Sequence, residues 1–224
     1  MYDVILADPC WRYRNVKTGG SHTSGSAQKY PTMSLAELRA MPVKSIAAPA
    51  SVCFLWATTP LGDDPFRVLE DWGFSYKTKW YWHKVGRKGI GYWTRGEVEE
   101  VLIGVRGPLK AWRSSLSNYL EGDGTLAEVF AREDDELVLH LKPEGHSKKP
   151  EAVQERIEAL MPDARRVELF ATRPRAGWDT FGLALDPSHD FRSPEFWDVL
   201  RRTAEGPPPP VPEEVRPTDD TGTT

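Results

Sequence analysis

The chain has 224 residues and a formal net charge of −4, a size that suits one α/β domain with a single sizeable core. No apolar run approaches the length of a membrane-spanning helix and the N-terminus lacks a signal-peptide pattern, so a soluble, cytoplasmic protein is expected. Its two cysteines, Cys10 and Cys53, are too few for a disulfide framework, and no Cys/His spacing matches a zinc site; two thiols and no metal are expected.

Tyr2 to Ala7 reads as a short buried strand, which puts Asp8 at its carboxyl end, where open α/β sheets bind ligands. Asp8-Pro9-Cys10-Trp11 reads equally well as an Asp-Pro turn followed by a core indole, and the tetrapeptide alone leaves both readings open. Arg12 to Thr32, rich in Gly, Ser, Thr, Lys and His, reads as a long substrate loop. Ser34 and Glu37 form a capping box for a helix from Leu35 to Met41, which Pro42 terminates. Val52 to Ala57 is a second buried strand. Asp63 and Asp64 cap a helix with Pro65 at its first position, apolar Phe66, Val68, Leu69 and Trp72, and Gly73 at its end.

Phe74 to Lys84 and Val98 to Val105 read as strands around a glycine-rich turn, Gly86 to Gly91. Lys110 to Gly124 shows no strong periodicity and reads as loop. Glu136 to Leu141 reads as a strand, Lys142 to Lys149 as a polar turn, and Pro150 as the first position of a helix that Pro162-Asp163 ends. Arg166 to Ala171 is a strand, Thr172 to Gly182 a loop, and Ser193-Pro194 begins a last helix reaching about Arg202. The order of elements predicts a mainly parallel sheet. Residues 1–202 are read as one domain. Residues 203–224, with four consecutive prolines and five acidic residues against one basic, are read as a disordered tail.

Removing that tail leaves a near-neutral body with a basic middle, because Lys77 to Arg113 holds nine basic residues against three acidic ones. Tyr76, Lys77, Lys79, Trp80, Tyr81, Trp82, Lys84, Arg87, Lys88, Tyr92, Trp93 and Arg95 combine positive charge for phosphates with flat side chains for unstacked bases. Aromatic residues in a strand serve a core equally well. A carboxylate and a backbone carbonyl beside an indole, as at Asp8, Pro9 and Trp11, suit an exocyclic amine held by its two N–H groups.

Asp8-Pro9-Cys10-Trp11 resembles the D-P-P-W signature of the β-type adenine-N6 methyltransferases, the MT-A70 family. The resemblance continues through Trp82-His83-Lys84, Gly91-Tyr92-Trp93-Thr94 and Glu99 to Gly107, then His146-Ser147-Lys148-Lys149-Pro150-Glu151, Val167 to Ala171, Gly177-Trp178 and Gly182, and covers roughly residues 2 to 185. It implies an α/β, Rossmann-like class I methyltransferase fold with helices flanking the sheet and permuted motif order. It also implies S-adenosylmethionine as donor and methyl transfer to the N6 amine of adenine in nucleic acid, DNA favoured over RNA. No G-x-G-x-x-G follows any strand, so the cofactor rests on the resemblance alone.

Carried over by position, the resemblance makes Asp8, Pro9, Cys10 and Trp11 the catalytic turn, with Asp8 and the Pro9 carbonyl accepting the amine hydrogens and Trp11 stacking on the base. Lys149 would pair with the methionine carboxylate, with His146 and Ser147 in the same turn, and Asp8, Glu168, Phe170, Thr172 and Arg173 would line the donor. Tyr13, Lys84, Tyr92, Trp93 and Glu99 would lie on the substrate side. Cys10, Thr172 and Leu183 stand where the family usually carries proline, arginine and asparagine. The alternatives are a catalytically silent nucleic-acid-binding subunit and transfer of another group to the adenine amine. The oligomeric state stays open, a homodimer among the options.

Overall fold

The computed structural model describes residues 1–12, 32–84, 96–109, 119–121 and 149–210. Tyr2–Ala7 forms β1, with a neighbouring strand on each edge and packed side chains on each face. Tyr2, Ile5 and Ala7 belong to one core layer and Val4 and Leu6 to the other. That double-sided burial is why the segment is an apolar run and does not alternate.

The chain continues through α1 (Leu35–Ala40), β2 (Ala47–Thr58), α2 (Asp64–Asp71), β3 (Ser75–His83), β4 (Val98–Arg106), β5 (Tyr119–Glu121), α3 (Ala152–Leu160), β6 (Arg166–Leu169), β7 (Trp178–Phe181) and α4 (Pro194–Glu205). Among the described residues these strands form one seven-stranded sheet in the order β5-β3-β4-β2-β1-β6-β7. β1 pairs parallel with β2 and β6, β6 with β7, and β3 with β5; only β4 runs against its neighbours, β2 and β3. The sheet is therefore mainly parallel and Rossmann-like, as expected.

Leu38 of α1, Val68 and Leu69 of α2, and Phe196, Trp197 and Leu200 of α4 close one face, while Val153 and Ile157 of α3 close the other. The order of strands reverses at β1, with β2 on one side and β6 on the other, so the carboxyl ends of β1 and β6 flank a crevice at a topological switch point. Among the described residues no helix is long and apolar enough to cross a membrane.

Local chemistry sets the element ends. The predicted capping box on α1 forms: Glu37 N–H donates to the Ser34 hydroxyl at 3.2 Å and Ser34 N–H to the Glu37 carboxylate at 2.6 Å. On α4, Phe196 N–H donates to the Ser193 hydroxyl at 3.2 Å. At the end of α4, the Arg165 guanidinium donates to the carbonyls of Thr203, Ala204, Gly206 and Pro207, adding donors where a helix terminus is short of them.

The structure departs from the sequence reading at several ends. β2 begins at Ala47 rather than Val52, and an irregular register opposite Tyr2 and Val4 accommodates Pro49. Asp63 precedes α2 without capping it; its carboxylate pairs with Arg67. Strand β5 falls in the segment read as loop, and β7 in the loop read over Thr172 to Gly182. These strands have three and four residues, too short to show a period. Glu151 precedes α3, likewise without a side-chain capping bond, so Pro150 lies before the helix. β6 stops at Leu169 because Phe170 adopts a left-handed φ of 67°. α4 runs to Glu205, past Arg202, with Ala204 buried. The strand read over Glu136 to Leu141, the glycine-rich turn and most of the Arg12 to Thr32 loop lie outside the described residues, as does the tail beyond residue 210.

Candidate active site

At the carboxyl end of β1 the backbone makes one more contact with β6, Asp8 N–H to the Leu169 carbonyl at 3.4 Å, and then turns sharply. Trp11 N–H donates to the Pro9 carbonyl at 2.8 Å, which leaves that oxygen one lone pair for another donor. The turn is pinned from two sides. Met33 N–H donates to the Cys10 carbonyl at 3.0 Å and Arg12 N–H to the Met33 carbonyl at 3.2 Å, while the Trp11 indole donates to the Trp56 carbonyl of β2 at 3.0 Å. Trp11 is 6% exposed and packed in the core. The indole thereby holds the turn against β2.

The Asp8 carboxylate projects from this turn into a chain of alternating charges. Lys149, three residues before α3, donates to both Asp8 oxygens at 2.8 Å and lies 3.3 Å from Glu99 Oε2. Lys84, just past β3, donates to Glu99 Oε1. Glu99 sits on β4 opposite Trp82 of β3 and Thr58 of β2. The Lys149 ammonium also lies 5.1 Å from the centre of the Trp56 ring. Four segments distant in sequence thus bring Lys84, Glu99, Lys149 and Asp8 into one row.

The row separates its two carboxylates electrostatically. Glu99 is 9% exposed, and burial alone would raise its pKa; the two ammonium groups of Lys149 and Lys84 outweigh that and hold it below the ordinary range. Asp8 has one bonded cation, and burial pushes its carboxyl upward despite Lys149. Lys149 loses solvation as well, but Asp8 and Glu99 together keep it firmly protonated. Two carboxylates with opposite shifts in one crevice are a pattern that clusters at functional sites. Burial and then the Asp8 charge raise the thiol pKa of Cys10.

On the β6 side, Glu168 lies opposite Leu6 and 3.4 Å from the Gln154 amide of α3; burial raises its pKa too. Phe170 stacks on Phe191 with ring centres 4.2 Å apart. Thr172 is exposed, and Arg173 is engaged by Glu151 at 2.6 Å. The structure therefore gathers Asp8, Pro9, Trp11, Lys84, Glu99 and Lys149 at one end of the sheet, with Glu168 and Phe170 on the adjoining strand end. Tyr13, Tyr92, Trp93, His146 and Ser147 lie outside the described residues. Among the described residues no cluster of side chains suits a metal ion.

The base-platform reading of the aromatic and basic stretch is corrected in part. Trp80 and Trp82 are 5% and 3% exposed and pack on Phe54 and Trp56, so they are core. Lys79 and Lys84 are neutralised by Glu100 and Glu99. Two contributors escaped the sequence reading. Trp56 closes an apolar strand and looks like core in any pattern. Arg192, which binds Glu37 and the Thr32 carbonyl beside the pinned turn, comes from a segment without a motif.

Comparison with known proteins adds to this geometry. A sequence model of the MT-A70 family matches residues 2–184. The type II methyltransferase M.MunI of Mycoplasma sp is 31% identical over 213 residues, 88% of this chain and 83% of that protein. The N(6)-adenine-specific methyltransferase METTL4 of Homo sapiens is 22% identical over 81% of this chain and 37% of its own length, and the N6-methyladenosine RNA methyltransferase MTA1 of Cryphonectria parasitica 26% identical over 88% and 54%. The chain thus spans most of the first relative and about half or less of the other two.

Proposed function

The chain belongs to the MT-A70 family, and on that premise we propose that it transfers a methyl group from S-adenosylmethionine to the N6 amine of an adenine in nucleic acid, with DNA favoured over RNA. The observation that carries the proposal is the pairing of Asp8 with Lys149 beside a half-used Pro9 carbonyl at the switch point of the sheet. The donor set fits the cofactor: Lys149 suits a carboxylate, and the half-buried Glu168 carboxylate suits hydroxyl groups. When bound, S-adenosylmethionine supplies an electrophilic sulfonium methyl. The match to M.MunI, named as a type II methyltransferase, over most of both chains supports the methyl transfer. Cys10 and Cys53 are free thiols, which suits a cytoplasmic setting.

The work of the protein is to make a poor nucleophile react. The N6 lone pair of adenine is delocalised into the ring, and it localises when acceptors engage both amine hydrogens. Asp8 and the Pro9 carbonyl, neighbours on a turn that the Trp11 bond to Trp56 holds in place, are the acceptors the proposal assigns. The Asp8 charge favours the cationic amine that forms as the methyl arrives, and preorganisation of the turn avoids reorganisation at that moment. An adenine taken from a duplex is flipped out first, at a cost of a few kcal/mol that contacts in the crevice offset.

Mass spectrometry of nucleosides digested from DNA and RNA incubated with protein and donor tests the reading. N6-methyladenine is expected, lost in Asp8→Ala with donor affinity retained, whereas Lys149→Ala weakens donor binding. Nucleic-acid binding without any transfer would favour the silent subunit, and failure to bind donor or to modify either polymer would reject the proposal.

A further inference from the structure

Lys149 occupies the atoms on which the proposed reaction depends. An ammonium group has three donors, and here two go to the two Asp8 oxygens while the third side faces Glu99 Oε2 at 3.3 Å. A carboxylate bridged in this way has its charge cancelled at 2.8 Å and favours a cationic amine poorly. Asp8 therefore becomes an effective acceptor only when Lys149 withdraws. The Lys149 side chain is only 19% exposed, so its ammonium leaves Asp8 for another partner, because an unpaired charge held largely away from water is costly.

Glu99 is built to receive it. It is 9% exposed, at the second position of β4, and already bonded through Oε1 to Lys84, which fixes its carboxylate without using Oε2. We infer that Glu99 is a positioning residue that takes over Lys149 from Asp8, so that the arriving donor carboxylate and Glu99 together hold the ammonium and release Asp8 for the adenine amine. This inference rests on the methyltransferase reading above. It also gives Lys84 a role: by sharing the Glu99 charge it limits the pull on Lys149, and the ion pair with Asp8 persists until the donor binds.

The handover links donor binding to Glu99 with opposite signs for its two neighbours. Calorimetry compares S-adenosylhomocysteine, which carries the amino-acid carboxylate, with 5′-methylthioadenosine, which lacks it; the ratio of their affinities reports how readily Lys149 leaves Asp8. Glu99→Gln is expected to lower that ratio about tenfold, the scale of one strong charge contact, with Glu99→Asp restoring part of it. Lys84→Met, by leaving the whole Glu99 charge to Lys149, is expected to raise the ratio or leave it unchanged. A wild-type ratio in Glu99→Gln, or equal losses in Glu99→Gln and Lys84→Met, would overturn the handover. Lack of binding of both compounds to the wild-type protein would instead reject the underlying donor assignment. Circular dichroism and melting curves of each variant verify that the ratio is read on folded protein.

Discussion

Gly182→Ala is a substitution for which the structure forecasts a large effect from a single methyl group. A Cβ at Gly182 would lie 2.1 Å from the Ala171 carbonyl oxygen and 2.8 Å from its nitrogen, distances that real side chains do not adopt. Neither partner has room to retreat. Ala171 N–H donates to the Phe181 carbonyl at 2.9 Å, Gly182 N–H donates to His189 Nδ1 at 3.2 Å, and the Gly182 carbonyl accepts from Leu185 at 2.9 Å and Asp186 at 3.1 Å. Separating the two segments by roughly 1 Å strains the chain and breaks the Ala171 bond, for a total of about 2–4 kcal/mol. In a chain of this size that lowers Tm by roughly 5–15 °C. The displaced residue follows Phe170 and lies three positions from Glu168, so affinity for S-adenosylhomocysteine should fall as well. Differential scanning calorimetry reads the first effect and titration calorimetry the second. Gly96→Ala, where an added Cβ meets nothing within 4 Å, is the control. A Gly182→Ala protein that melts with the control would refute the steric reasoning.

The capping box on α1 carries a pH signature. The Ser34 hydroxyl and backbone N–H, aided by Arg192, hold the Glu37 carboxyl down to about 2. A depressed carboxyl stabilises the fold above its unfolded pKa, and the contribution disappears as pH falls from about 4.5 to 2. Glu37 is about a third exposed, so solvent screening reduces the effect to about 1 kcal/mol. Acid titrations of stability for wild type and Glu37→Gln should therefore differ at pH 6 and converge near pH 2; curves parallel throughout would contradict this. Arg165→Met strips the donors from the end of α4 and should cost about 2–3 kcal/mol. Faster hydrogen exchange over the last turn of α4 is expected, and unchanged protection there would count against the capping role.

The sequence was legible where one residue type decides the local outcome. The Ser34 and Glu37 pair predicts its own hydrogen bonds, and the apolar run at Tyr2 to Ala7 predicts a central strand, since no other segment of that pattern is stable at an edge. β5 and β7 escaped because they are held by their neighbours and not by any period of their own. In the site, Asp8 and Lys149 were identified from family-like motifs 141 positions apart, and the structure supplies their contact. Composition could not reveal that Lys149 would bridge Asp8 and Glu99, because the bridge depends on how the turn before α3 meets the ends of β1 and β4. The indole of Trp11 shows the same limit. An aromatic residue in a turn reads the same whether its face is offered to a ligand or its edge is bonded to a neighbouring strand.

The pairing of Cys10 and Arg12 with Met33 has a consequence for how this architecture diversifies. Positions 12 and 32 are held side by side by contacts that do not involve the chain between them, so the base of that excursion is part of the sheet's own framework. Closing a longer excursion on a fixed base costs only about 0.6 kcal/mol per doubling of length. Arg12 is four positions from Asp8. The framework thus offers a socket beside the Asp8 carboxylate, into which segments of different length and sequence can be exchanged while the sheet and its row of charges stay as they are.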